Sequence, residues 1–260
     1  MPNFTRGNVS LYYEDQGRGA PAPMLFVHGW CCDHTSFQQA YFSRVRRTIA
    51  VDLRGHGGSD APIQNYDTEE FVDDLIHLCR ELAPTKHIVV GHSMGGTVAL
   101  QFAARCPEYV AAAVLIDSVV FPTVNFVKSL RPIAHALFGP DYLAALETLQ
   151  QLMFLPSDDT NVRSRICGLM SRTPQHVLAP AFDNHIFRYD ATAAAASLRI
   201  PVAYIASDNI VVDLHRFREL CPQLKTGQTV GVGHFATALA PTQINSMLEE
   251  FCRAQVSSVP

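Results

Sequence analysis

Gly91-His92-Ser93-Met94-Gly95 sets a serine between two glycines at the spacing that a nucleophile elbow needs. A free serine hydroxyl is a weak nucleophile. It becomes reactive when a base takes its proton and fixed N–H groups receive the charge that develops on the attacked carbonyl. Residues 86–90 form a short, largely apolar run that reads as a buried strand. Residues 94–105 carry Val98, Leu100, Phe102 and Ala103 at spacings that suit a packed helix, so Ser93 falls on the turn between the two. Such a turn strains the serine backbone and brings strand and helix so close that small residues are needed two positions to either side, which Gly91 and Gly95 supply. The amide of Met94 then lies at the positive end of a helix dipole, as one donor for an oxyanion.

The base must accept a proton near neutral pH, which favours histidine, with an ordinary pKa of about 6.5. Of the eleven histidines, His234 in Gly231-Val232-Gly233-His234-Phe235 follows the last predicted strand, at the same carboxyl edge of the sheet as Ser93. A third group must orient the imidazole and stabilise its cation. Asp208, just beyond a strand at residues 202–205, gives the order nucleophile, acid, base and is the leading candidate. Asp117, at the end of the strand after the elbow helix, and Asp213, beyond Asp208, remain as rivals. The second oxyanion donor is expected on the loop after an adjacent strand, where the backbone N–H of Trp30 in His28-Gly29-Trp30 is the candidate. His28 and His92 flank these turns and read as structural.

These groups meet only if a mostly parallel sheet aligns the carboxyl ends of its strands. The first half of the chain alternates strand and helix as such a sheet demands. Residues 10–15 alternate like an edge strand, 24–27 form a buried run, 37–45 read as helix and 48–53 as strand. Asp67 can cap a helix with Glu70 completing a capping box, and Phe71, Leu75, Leu78, Cys79 and Leu82 share one face until Pro84. After the elbow helix comes a buried strand at 111–116. From 119 to 196 the alternation lapses into helix-like pieces broken by Pro122, Pro132, Pro140, Pro156, Pro174 and Pro180. Its aromatics, Phe121, Phe126, Phe138, Tyr142, Phe154, Phe182 and Phe187, either line a pocket or hold the small helices together. Strand patterning resumes at 202–205, followed by a helix at 214–220, a strand near 228–232 and a last helix at 241–252. The expected organisation is a core domain at 1–118 and 197–260, interrupted by a helical cap at 119–196.

Composition narrows the function. With 260 residues, 48% hydrophobic and 17% charged, the chain can bury one large α/β core. A net charge of −4 without a lysine or arginine cluster removes the electrostatic basis for binding nucleic acid or a membrane surface. Apolar runs fall short of a membrane span and the opening Met-Pro-Asn-Phe-Thr-Arg lacks a signal-peptide core, so a soluble cytoplasmic protein is expected. Seven cysteines without metal-ligand spacing point to reduced, mostly buried thiols.

Together the motifs resemble the α/β-hydrolase superfamily. His28-Gly29-Trp30, the run Asp-Leu-Arg-Gly-His-Gly-Gly-Ser-Asp at 52–60, Gly91-His92-Ser93-Met94-Gly95-Gly96 and Gly233-His234-Phe235 occur in the family's order and near its spacings, over nearly the whole chain. The resemblance implies a mostly parallel eight-stranded sheet flanked by helices, a helical cap inserted after the sixth strand and a Ser-His-Asp triad beneath it. It also implies that residues 52–60 form a structural loop, so Arg54 and His56 are not expected to be catalysts. Two departures stand out. The family's Gly-x-x-Asp lead-in to its acid is Ile205-Ala206-Ser207-Asp208 here, without the glycine, and Leu239-Ala240 precedes Pro241 where relatives often carry glutamate.

Family members that open epoxides or remove halogens place aspartate at the nucleophile position, and Ser93 argues against both chemistries. Acyl transfer to water remains, on a small to medium, partly apolar carboxylic ester or lactone, with no metal or organic cofactor required. Hydrolysis of a carbon–carbon bond beside a ketone, thioester hydrolysis and perhydrolysis use the same triad. A ligand receptor of the same fold is the reading from another class.

Overall fold

The computed structural model describes residues 3–19 and 21–255; residues 1–2 and 256–260, which the expected core limits include, lie outside the described residues. Eight strands build one sheet: β1 (Asn3–Arg6), β2 (Val9–Gln16), β3 (Met24–Val27), β4 (Thr48–Val51), β5 (His87–His92), β6 (Val110–Ile116), β7 (Val202–Ala206) and β8 (Lys225–Gln228). Their order is β1-β2-β4-β3-β5-β6-β7-β8. The β1/β2 and β2/β4 pairs are antiparallel and every later pair is parallel.

The central strands are apolar on both faces because helices cover both. Leu25 and Val27 of β3, Val89 of β5 and Leu115 of β6 pack into one core layer, while Met24 and Phe26, Ile88 and Val90, and Val114 and Ile116 point into the other. This is the two-residue period of a pleated strand. The helices are α1 (Gln39–Phe42), α2 (Thr68–Leu82), α3 (Met94–Arg105), α4 (Val124–Ala136), α5 (Tyr142–Met153), α6 (Thr160–Met170), α7 (Gln175–Asp183), α8 (Thr192–Ser197), α9 (Leu214–Leu220), α10 (Ala236–Leu239) and α11 (Pro241–Gln255). Among the described residues no helix is long and apolar enough to cross a membrane.

Asp67 caps α2 by accepting the Glu70 N–H at 3.0 Å. The Glu70 carboxylate, however, pairs with Arg6 and Arg54 at 2.6 and 2.7 Å instead of closing a box. Three expectations shift. Helix α1 is one turn long, not the whole of 37–45. Pro132 and Pro180 sit inside α4 and α7 and do not break them. The last strand is Lys225–Gln228, ahead of the expected 228–232: it is a mostly exposed, polar edge strand without an apolar run, and the valines that suggested a strand lie in the following loop.

Five helices, α4 to α8, separate β6 from β7. Helix α8 packs against α3 on the flank of the sheet. Helices α4, α5 and α7 supply residues that face the carboxyl ends of the strands across a cavity.

Candidate active site

Ser93 stands alone between β5 and α3 with φ 52° and ψ −121°, a left-handed conformation that costs a non-glycine residue on the order of 1–3 kcal/mol. Its N–H donates to the Ile116 carbonyl of β6 at 2.9 Å and its own carbonyl accepts from Gly96 at 3.0 Å, so backbone holds the strained residue on both sides. A Cβ on Gly91 would overlap the Gly95 carbonyl, and one on Gly95 would overlap the Val27 and His28 carbonyl oxygens. The obstacles are main chain and cannot rotate away.

The hydroxyl oxygen of Ser93 lies 2.9 Å from His234 Nε2, and His234 Nδ1 lies 2.7 Å from Asp117 Oδ2. A neutral imidazole therefore donates Nδ1–H to the carboxylate and accepts the serine O–H at Nε2. Asp117 is 6% exposed. Its second oxygen accepts the Ser207 N–H at 3.0 Å. Burial pushes its pKa up, but the bond and charge of His234 and the Ser207 N–H outweigh burial and hold it below the ordinary carboxylate range.

Asp208 does not meet His234, contrary to the sequence expectation. Its side chain is exposed and accepts the Gly231 N–H at 3.0 Å, and its own N–H donates to Val232 at 3.2 Å. The reason is the short β7 turn. The strand ends at Ala206, Ser207 spends its N–H on Asp117, and residue 208 has already turned outward to tie down the loop that leads to His234. Asp213 caps α9 through the Arg216 N–H at 2.9 Å. The carboxylate that meets His234 is Asp117, directly after β6, the strand between β5 and β7.

Several groups fix the histidine loop. His92 Nε2 lies 2.8 Å from the His234 carbonyl. The His234 N–H donates to Met153 at 2.9 Å, and Asp158 accepts the N–H of both Gly233 at 3.1 Å and Leu155 at 2.8 Å. Nothing in the sequence pattern marked Asp158 or Met153, since both act across the insertion. His28 bridges two loops, with Nδ1 at 2.8 Å from the Gly29 carbonyl and Nε2 accepting the Leu53 N–H at 2.9 Å. Arg54 is bound to Asp74 of α2 at 2.5 and 2.6 Å, and His56 Nδ1 lies 2.9 Å from the Arg54 carbonyl, so both side chains are engaged away from Ser93.

Trp30 occupies a turn closed by the Cys32 N–H on the Gly29 carbonyl at 3.1 Å, with Cys31 at φ 55°. Its indole N–H donates to Leu178 of α7 at 2.8 Å. Met94 opens α3 directly after Ser93. Trp30, Ser93, Asp117 and His234 border one cavity of about 100 Å³, closed from the other side by Phe126, Leu149, Phe154, Phe182 and His185. A larger groove of about 480 Å³ between α3 and α8 contains none of the triad. Of the eight aromatics in the insertion, Phe126, Phe154 and Phe182 line the cavity, whereas Phe138 is 57% exposed.

A strained serine on a strand-to-helix elbow, in hydrogen-bonding contact with a histidine from beyond the last strand, defines a class of hydrolase site on this sheet. The sequence matches the alpha/beta hydrolase family over residues 24–246, and the chain belongs to that family. It is 38% identical over 104 residues to the AB hydrolase superfamily protein YisY of Bacillus subtilis, covering 39% of this chain and 38% of that protein. It is 38% identical over 113 residues to 2-(acetamidomethylene)succinate hydrolase of Mesorhizobium japonicum, covering 43% and 40%. The matched part thus spans less than half of each of these relatives. Among solved structures, a thermophilic esterase from Thermogutta terrifontis is 25% identical, with a TM-score of 0.84 over 96% of both chains. The enol-lactonase from Burkholderia xenovorans superposes with a TM-score of 0.86 over 97% of this chain and 100% of its own, at 17% identity, a likeness of fold.

Proposed function

We propose that the protein is a cofactor-independent serine hydrolase that cleaves a small to medium, partly apolar carboxylic ester or lactone through an acyl-enzyme on Ser93. The observation that carries this reading is the unbroken chain from Asp117 through His234 to Ser93, with contacts of 2.7 and 2.9 Å, at the wall of a largely apolar cavity. Ser93 Oγ attacks the carbonyl carbon as its proton passes to His234 Nε2. The ionised Asp117 carboxylate stabilises the imidazolium, and the N–H groups of Met94 and Trp30 receive the oxyanion. His234 then protonates the departing alcohol, and a water molecule, deprotonated by the same nitrogen, releases the acid.

The cavity, about 100 Å³, is smaller than the roughly 300–1,000 Å³ of pockets for drug-sized ligands, which supports a short acyl or alcohol group. None of its described lining residues is lysine or arginine, so no side-chain cation stands there to pair with an anionic group, which favours an uncharged one. The partner is a small molecule, in keeping with the net charge of −4.

A panel of p-nitrophenyl acetate and butyrate, simple lactones and matched thioesters tests the reading, with Ser93→Ala as control. Multiple turnover on esters or lactones that vanishes in Ser93→Ala is expected. Turnover that survives the substitution overturns the assignment of the nucleophile, and slow single-turnover labelling marks the receptor instead.

A further inference from the structure

The cavity holds a polar side chain that the proposed reaction does not use. Helix α7 runs on into one π-helical turn, Asn184–Arg188, and His185 is its second residue. His185 is 5% exposed and lines the same cavity as Ser93 and His234. Neither ring nitrogen has a hydrogen-bond partner among the described residues. A phenylalanine or leucine would fill this space without leaving a ring N–H and a lone pair unpaired, so packing alone does not account for histidine here.

The surrounding turn is pinned. The Asn184 side-chain amide donates to Asn65 at 2.6 Å and Arg188 is bonded to Asp183 at 2.6 Å, so the residues on either side of the imidazole are already engaged. Single π turns inside helices occur frequently at functional sites. Burial, together with the His234 imidazole nearby, pushes the pKa of His185 down to about 3, so the ring is neutral at working pH and offers one donor and one acceptor.

We propose that His185 is a specificity-determining residue, its imidazole hydrogen-bonding a second uncharged polar atom of the substrate while Ser93 attacks the ester carbonyl. The proposal rests on the hydrolase reading above and narrows its substrate to oxygenated esters or lactones, those with an ether, keto or hydroxyl oxygen within reach of this imidazole. A substrate of hydrocarbon outside its ester group leaves the imidazole unpaired, and a site with a buried polar group discriminates against such an analogue.

The test uses the full chain and two pairs of esters in which an ether oxygen replaces one methylene. For the acyl side these are p-nitrophenyl 3-methoxypropanoate and p-nitrophenyl pentanoate; for the alcohol side, 2-methoxyethyl butyrate and butyl butyrate. Each kcat/KM is divided by the rate with hydroxide, and the ether-to-hydrocarbon ratio is compared between wild type, His185→Phe and His185→Gln. In His185→Phe the ratio is expected to fall about tenfold in at least one pair, the size of one lost hydrogen bond, while His185→Gln, which keeps a donor and an acceptor, retains it. Ratios unchanged by His185→Phe in both pairs overturn the proposal while Ser93-dependent hydrolysis stands. If His185→Phe does not fold, the wild type decides, since a ratio below one in both pairs shows the ether oxygen buried without a partner. Hydrolysis that persists in Ser93→Ala overturns the parent reading and this one with it.

Discussion

The floor and the roof of the cavity are held by different forces. On the floor, Ser93 and Asp117 end adjacent strands and His234 follows β8, and main-chain hydrogen bonds fix the first two: Ser93 N–H to Ile116, and Asp117 N–H to Ile205 at 2.7 Å. On the roof, Phe126, Leu149 and Phe182 come from helices of the insertion and Phe154 directly follows one, all packed through side chains. Polar ties join the two at single points, among them the indole of Trp30 to Leu178, the N–H of His234 to Met153 and the N–H of Gly233 to Asp158. A backbone ladder leaves little room for error in atomic position, whereas apolar packing tolerates exchange at constant volume. On the proposed function, chemistry therefore belongs to the floor and selectivity to the roof.

The sharpest way to break this division is Ser93→Ala, expected to lower kcat by about 10⁶-fold, as loss of a triad nucleophile does. Residual activity within a hundredth of wild type would place the nucleophile elsewhere. Next is the pair Asp117→Asn and Asp208→Asn. The first should cost about 10⁴-fold in kcat by removing the charge that orients His234, and the second should leave kcat nearly intact because Asp208 only staples Gly231. Equal losses in both would move the acid.

Acid stability sharpens the comparison further. Burial pushes the pKa values of His92 on the floor and His185 on the roof, with His56, down to about 3 and that of His87 to about 4. In the unfolded chain each titrates near 6.5, so between that value and about 4 the unfolded state binds more protons. Stability is complete above about pH 6.5 and falls as pH drops, by up to about 1.4 kcal/mol per pH unit for each imidazole. Urea midpoints at pH 7.5, 6 and 5 should decline in that order, and less steeply in His185→Phe; a flat profile contradicts neutral burial. The smallest effect is expected from Phe126→Ala, a half-buried roof residue. It should move the preferred acyl chain to a longer one with only a few-fold change in kcat, measured from acetate to octanoate esters, whereas a change confined to kcat would assign Phe126 to the floor's work.

Legibility follows the same line. The elbow was readable because everything that makes it lies within a few residues: a strand, two glycines and a helix whose observed span, Met94–Arg105, is the one the pattern predicts. Strand β3 and helix α9 were equally local. Asp208 misled because chain order and the end of β7 pointed to it, while the choice depended on which of two neighbouring strand ends faces the imidazole. Strand β8 misled because a solvent-exposed edge strand buries too little to leave an apolar pattern. His185 carried no signal at all, since an isolated polar residue in an aromatic-rich insertion looks the same whether it faces water or a cavity.

By itself the sequence determined the central strands, the elbow and the histidine loop, because local periodicity and glycine spacing encode them directly, and its motifs carried the resemblance to the family. Only the tertiary structure decided that Asp117 is the partner of His234, that Asp208 is a loop staple and that an unpaired imidazole roofs the cavity. Those outcomes depend on distances between segments some twenty to a hundred and forty residues apart, which main-chain packing sets and no short window records.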